Sequence, residues 1–218
     1  MKSTFSEIKY SITKNGRVRS LVSKLIRGKS LFINKHKIKD CFLLNVGCGI
    51  LPVKEFINLD FYWHPEIDIC WDITKKNYPL LNETIEGIYT EHCLEHIPYE
   101  KCLENFKEFH RLLKKGGTLR VILPDGEIYC NLYVQNKTNK NIILPYGENE
   151  KTPMISINRI FRSHGHQFIY DYDTLVFLLK EAGFTNVKRE DFRTGNDDRL
   201  LIDSPERVIE SVYLEAIK

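Results

Sequence analysis

The stretch Leu43-Leu44-Asn45-Val46-Gly47-Cys48-Gly49 runs a mostly apolar segment into two glycines one residue apart. An apolar run stopped by glycines predicts a buried central strand of a parallel sheet that ends in a tight turn. Without a Cβ, such a turn can take positive φ and lie directly against a ligand. In open α/β sheets that is also where ligands bind, at the carboxyl ends of the strands. Gly-x-Gly alone is weak evidence, so the reading depends on the residues downstream of the turn.

A second short strand, Phe56-Ile57-Asn58-Leu59-Asp60, comes soon after and ends in an acid. An aspartate there can accept hydrogen bonds from a ribose diol. The interval from Gly47 is too short for a dinucleotide fingerprint, and Pro52 stands where its third glycine would be. A pyrophosphate needs a well-formed helix N-terminus beneath it. This loop leaves room for little helix, which disfavours a nicotinamide or flavin dinucleotide and leaves a nucleoside without phosphates compatible. Ile67 to Ile73 is a third strand candidate, and Asp72 near its end can bond an amino group such as adenine N6, or else serve as a turn aspartate. The fourth strand, Ile85 to Thr90, leads into Glu91-His92-Cys93-Leu94-Glu95-His96. A helix is expected over Tyr99 to Lys115, stopped by Gly116-Gly117, and then a strand over Thr118 to Leu123.

Residues 131–170 form a long interval before the next helix, expected at Asp173 to Ala182. Its polar beginning, Asn136 to Asn141, reads as an exposed loop. Insertions on the carboxyl edge of an α/β sheet are where substrate recognition usually sits. A turn and strand at Gly183 to Val187 and a final strand within Val208 to Ala216, expected to be antiparallel, close the chain.

The composition, 42% hydrophobic and 28% charged over 218 residues, is that of an ordinary globular protein with one α/β domain. No apolar run is long enough to cross a membrane. The N-terminus lacks a secretory h-region. Six scattered cysteines without a Cys-x-x-Cys pair argue for reduced thiols, hence a cytoplasmic setting. The net charge of +3 is uneven: residues 1–40 hold eleven Lys/Arg against Glu7 and Asp40, a net +9, and the rest carries −6. Within this arm Val18, Leu21, Val22, Leu25 and Ile26 recur at helical spacing, with Arg17, Arg19, Lys24 and Arg27 around them. A basic amphipathic helix over 17–27 can lie on an anionic membrane surface or touch nucleic acid. Alternatively its stripe packs on the main domain as a lid or brace.

Several blocks together, Leu44 to Gly49, Asn58-Leu59-Asp60, His92 to Ile97, Leu112 to Leu119, Leu123-Pro124-Asp125, and His166 through Tyr170-Asp171 to Phe184, resemble class I S-adenosylmethionine-dependent methyltransferases. They are similar in particular to type 11-like members associated with surface polysaccharide biosynthesis. The resemblance covers about residues 40–218 and leaves the basic arm outside. It implies a Rossmann-like, doubly wound, mostly parallel seven-stranded sheet with an antiparallel last strand, flanked by helices. It further implies S-adenosyl-L-methionine as cofactor and a small-molecule or glycan acceptor, methylated on oxygen. By that resemblance Asn45, Gly47, Cys48 and Gly49 lie along the methionine and ribose of the cofactor. Asp60 takes the ribose hydroxyls, Asp72 and Ile73 address the adenine, and Glu91 with His92 faces the methyl donor.

Attack by a hydroxyl needs a base, for which His92, His166 and Asp125 are the candidates. Each histidine can equally be a packing or capping residue. His92-x-x-x-His96 and His164-Gly165-His166 have spacings that suggest ligands, but no compact carboxylate set accompanies them in sequence, so no metal is expected. Base-amino methyltransferases carry an (Asp/Asn)-Pro-Pro-aromatic motif where this chain has Glu91-His92-Cys93-Leu94, which disfavours a nucleobase acceptor. The rival readings are an RNA methyltransferase that uses the basic arm and a non-catalytic methyltransferase-like binding protein.

Overall fold

A computed structural model describes residues 16–75, 77–138 and 151–218. Seven strands form one sheet in the order β3-β2-β1-β4-β5-β7-β6. These are β1 Leu43–Val46, β2 Ile57–Asp60, β3 Ile69–Cys70, β4 Ile85–Glu91, β5 Leu113–Pro124, β6 Asn186–Glu190 and β7 Ser211–Ile217. The first five run parallel, while β7 lies antiparallel to both β5 and β6. All four residues of β1 and of β2 are buried, as strands covered on both faces must be. The register brings Val46 level with Leu59 on β2 and with Thr90 on β4. Gly47, Asp60 and Glu91 are thereby neighbours at one carboxyl edge.

Helices α1 Gly16–Ile26 and α2 Lys35–Asp40 precede the sheet, and α3 Tyr99–Leu112, α4 Gly126–Thr138, α5 Pro153–Arg162 and α6 Tyr172–Glu181 come later in the chain. Phe106 and Phe109 of α3 and Leu175, Leu178 and Leu179 of α6 join Leu44, Ile57, Ile88 and Val121 in the main core. On the opposite face Leu43, Tyr89, Ile122 and Tyr213 meet Leu200. The cover there is an irregular segment, 191–207, and it is fastened by a buried ion network. Arg120 of β5 donates to Asp203 at 2.7 and 2.5 Å, to Glu215 at 3.2 Å, and to the carbonyls of Thr194 and Asp191.

Several element boundaries differ from the sequence expectation. Gly116-Gly117 does not stop α3, which ends at Leu112; the glycines lie inside β5. Gly116 takes φ +80°, and the β4–β5 register slips between Ile85 and Gly87 beside it. The third strand keeps only Ile69 and Cys70 of the expected seven residues. The interval before α6 opens with a helix, α4, and carries a second, α5, capped by Thr152 ahead of Pro153. Of the loop expected at Asn136–Asn141, residues 136–138 belong to α4 and the rest lie outside the described residues.

The arm packs along β3, the sheet's edge strand. The Gly28 and Asn34 N–H groups donate to the carbonyls of Cys70 and Asp68, so the arm covers an otherwise unpaired edge. Among the described residues no helix is long and apolar enough to cross a membrane.

Candidate functional site

The turn after β1 is built without a crossover helix. Gly47 N–H donates to the Leu59 carbonyl at 2.8 Å, and Gly49 N–H donates to Asp60 Oδ2 at 2.9 Å. Farther along, the Asn58 side chain accepts from Val53 N–H and donates to the Val53 carbonyl. Side-chain bonds from β2 thus hold the loop where a helix would otherwise complete the crossover. Gly47 sits at φ +76°, and a Cβ there would stand 2.3 Å from Cys93 Sγ. The loops after β1 and β4 are therefore in contact at a position that only glycine fits.

Beside this contact lies a cavity of about 730 Å³, lined by Gly47, Gly49, Asp60, Trp71, Asp72, Ile73, His92 and Cys93, among others. Asp60 is buried, and its other carboxylate oxygen accepts from Tyr62 N–H at 2.7 Å. Burial raises its pKa, while the two backbone N–H groups and the nearby Arg19 and Arg27 pull it down. Asp72 accepts from both the hydroxyl and the N–H of Thr74, with Lys75 at 3.4 Å. Burial works against its charge, but these partners hold Asp72 below the usual aspartate range.

Helix α1 forms part of this cavity wall. Arg19 donates to the carbonyls of Trp63 at 3.0 Å and Gly49 at 3.3 Å and stands 3.8 Å from Asp60. Ser23, one turn on, accepts from Trp63 N–H, and Arg27 donates to the Phe61 carbonyl. The packed face is accordingly the polar row Arg19, Ser23 and Arg27. Leu21 and Leu25 of the apolar stripe are 62% and 59% exposed, so most of the stripe does not brace the domain.

His92 lies just past β4 and lines the first cavity together with a second one of about 680 Å³ and a third of about 340 Å³. Its φ of +46° is unusual for a residue with a side chain. The backbone is held by donation to the Ile122 carbonyl, and Nε2 lies 2.8 Å from Ser211 Oγ. Burial, reinforced by Arg207, lowers its pKa to about 4, so the ring is neutral.

The second cavity is walled by His92, Glu95, His96, Arg159, His166 and Glu210, among others. The segment that carries His166 is stitched to the β4 loop by Gln167, whose N–H donates to the Glu95 carbonyl and whose Nε2 donates to that of His96. Glu95 is fully buried, and among the described residues neither carboxylate oxygen has a hydrogen-bond partner from another residue. Burial pushes its pKa up to about 8. His166 Nδ1 lies 2.6 Å from the Ile160 carbonyl. Glu210 accepts from Tyr129 and Arg207 and stands 3.7 Å from Arg159.

The expected site residues divide among these cavities. Gly47, Gly49, Asp60, Asp72, Ile73 and His92 share the first cavity, and His166 faces the second. Asn45, Cys48 and Glu91 line the third, smaller cavity, where Glu91 accepts from the Ser204 hydroxyl at 2.5 Å and from its N–H at 3.0 Å. Asp125 lines none of the three. Its carboxylate accepts from Glu127 N–H at the start of α4 and from Arg189. Glu95, Arg19 and Arg207 were not among the expected site residues. Of these, Arg19 had a signal, one helical turn ahead of Ser23 on the face away from Leu21.

The sheet order, 3-2-1-4-5-7-6 with an antiparallel last strand, is a Rossmann-like one, and the chain is similar in fold to solved S-adenosylmethionine-dependent methyltransferases. A solved S-adenosylmethionine-dependent methyltransferase from Archaeoglobus fulgidus aligns over 99% of this chain and 100% of its own, with 17% identity and a TM-score of 0.50. One from Mesorhizobium loti aligns over 81% of this chain and 90% of its own, with 15% identity and a TM-score of 0.47. No protein-family model matches the sequence, and no curated protein matches it.

Proposed function

We propose that this chain is an S-adenosylmethionine-dependent methyltransferase acting on a hydroxyl of a small molecule, with a saccharide as the favoured acceptor class. The observation that carries the reading is the pair of cavities, about 730 and 680 Å³, which meet at His92. The first has the donor set of a nucleoside seat. Asp60 is an acceptor for ribose hydroxyls, Asp72 is an acceptor for an exocyclic amine, and Trp71 and Ile73 supply apolar wall. Its glycine turn leaves the backbone bare on the methionine side. When bound, S-adenosylmethionine supplies a methyl carbon on a positively charged sulfur.

The contribution of the chain is alignment, which can account for much of the rate in such a displacement. Residues of the second cavity hold the acceptor oxygen in line with the methyl carbon. His92, neutral and shared by both cavities, accepts the proton released as the oxygen–carbon bond forms. Calorimetry with S-adenosylmethionine tests the reading. Binding is expected, and Asp60→Ala is expected to weaken it at least tenfold. No binding by the wild-type chain refutes the proposal, and unaltered affinity in Asp60→Ala refutes the ribose assignment.

The exposed Leu21 and Leu25, with Lys24 between them and Leu31 and Phe32 exposed just beyond, support peripheral docking on an anionic bilayer. Flotation with vesicles containing phosphatidylserine is expected to fall when Leu21 and Leu25 become Ser and Lys24 becomes Gln. Unchanged flotation retires the membrane reading. Arg19 and Arg27 are bonded to backbone carbonyls and are left intact in this test.

A further inference from the structure

One oxygen of Glu95 and one ring nitrogen each of His96 and His166 lie within 4.8 Å of one another. Three further observations point to a ligand at their centre. Glu95 is a carboxyl with no solvent exposure, and among the described residues no other side chain or backbone group makes a hydrogen bond to either oxygen, a state that costs free energy unless something compensates it. Its Oε1 lies 3.7 Å from His96 Nε2 and 3.5 Å from His92 Nδ1. Those separations are long for hydrogen bonds. The separation from His96, a ligand candidate, approaches the edge of a ligand tetrahedron, about 3.3 Å for nitrogen and oxygen ligands about 2.05 Å from zinc. His166 is also oriented for coordination. A carbonyl can only accept, so Nδ1 carries the proton it donates to Ile160, and the lone pair is left on Nε2.

We infer that Glu95, His96 and His166 form a binding site for a first-row divalent cation of the zinc class, opening into the second cavity. Two imidazoles and one carboxylate suit zinc or cobalt(II) and leave a coordination position facing the cavity. The site joins residues from two distant parts of the chain, and the Gln167 bonds to the backbone of Glu95 and His96 hold those parts together. The case for the site rests on this geometry and does not depend on the methyltransferase reading. Its role, holding an acceptor oxygen beside His92, rests on the methyltransferase reading. In that role His166 is a ligand and not the base.

The test uses tag-free, chelator-stripped full-length protein titrated with cobalt(II) and followed by visible absorption, then displaced with zinc(II). Stoichiometric ligand-field bands that zinc abolishes are expected. Glu95→Gln, which keeps the shape and removes the charge, and His166→Ala are each expected to weaken cobalt binding more than about 100-fold, beyond the 10–100-fold typical of changes around a ligand. Affinity for S-adenosylmethionine and thermal unfolding, measured in parallel, report whether the variants fold. Absent bands in the folded wild type, or cobalt affinity unchanged in Glu95→Gln, overturns the inference. Cobalt binding without S-adenosylmethionine binding sinks the methyltransferase reading and leaves the cation site standing.

Discussion

Gly47→Ala separates two reasons for a glycine that are usually confounded. Gly47 and Gly49 both have positive φ, +76° and +59°. An alanine at either one meets the left-handed penalty of about 1–2 kcal/mol. The two differ in what a Cβ would touch. At Gly49 nothing among the described residues lies within 4 Å, whereas at Gly47 the new atom falls against Cys93 Sγ and Cβ. Relief requires the loops after β1 and β4 to move apart, an overpacking penalty of about 1–3 kcal/mol. Gly49→Ala should therefore lose about 1–2 kcal/mol and Gly47→Ala about 2–5 kcal/mol. With a urea slope of about 2 kcal/mol per molar, the second loss moves the unfolding midpoint by roughly 1–2.5 M. Cys93→Gly removes both offending atoms, and the nearest remaining one is Cα at 3.7 Å. A double-mutant cycle of Gly47→Ala with Cys93→Gly should then recover about 1–3 kcal/mol. Equal losses at the two glycines, or a coupling near zero, would show that close approach to Cys93 is not what requires Gly47.

Three other outcomes are expected. Arg120→Met leaves Asp203 and Glu215 buried beside an apolar side chain, and urea unfolding should register a loss of about 3–5 kcal/mol; under 1 kcal/mol would mean that the network contributes little. For Asp72, the folded pKa lies below the unfolded one. Its stabilising contribution is full above the ordinary aspartate value, about 3.9, and is lost as pH falls through the folded value. Thr74→Val removes the hydroxyl donor and should raise the carboxyl midpoint followed by NMR; a midpoint that stays put refutes that cause. At His92, glycine relieves the left-handed backbone and alanine does not. His92→Gly should match or exceed His92→Ala in stability by up to about 1 kcal/mol, the reverse of their order in ordinary backbone, and the reverse order would contradict the left-handed turn.

What was legible in the sequence was local. The run into Gly47 and the acid that ends β2 are signals carried within a few residues, and they place β1, its glycine turn and the end of β2 where the structure has them. What was missed depends on partners far along the chain. Gly116-Gly117 looks like a helix stop because Lys114 and Lys115 precede it. Pairing of Leu113 with Ile85 pulls that segment into β5 instead. Helix α4 has a weak apolar stripe, and its packing against α5 could not be read from residues 126–138 alone. Glu95 beside His96 reads in sequence as a structural pair that orients the loop into the next helix, and its burial depends on the 163–168 segment, which Gln167 ties to the Glu95 carbonyl. Arg120, a charge between Leu119 and Val121, makes sense only once Asp203 and Glu215 arrive from the far end of the chain.

The missing crossover helix and the basic arm, two separate oddities in the sequence, are parts of one arrangement. A loop that replaces a helix leaves backbone carbonyls without intrahelical donors, and buried carbonyls must find partners. In the turns after β1 and β2, the carbonyls of Gly49, Phe61 and Trp63 find donors on the arm. Arg19 donates to the first and third, and Arg27 donates to the second while stacking 3.3 Å over the Phe61 ring. The Ser23 hydroxyl completes the row by accepting from Trp63 N–H. Guanidinium groups suit this task because each carries several donors in a fixed plane and stays charged at any physiological pH. The positive charge of Arg19 is thus committed to the wall of the first cavity and that of Arg27 to the turn after β2, which weakens the case for the arm as a phosphate-backbone footprint. The same packing turns Leu21 and Leu25 outward, so the helix that contributes to the cavity wall also carries the exposed apolar face on which the proposed membrane docking rests.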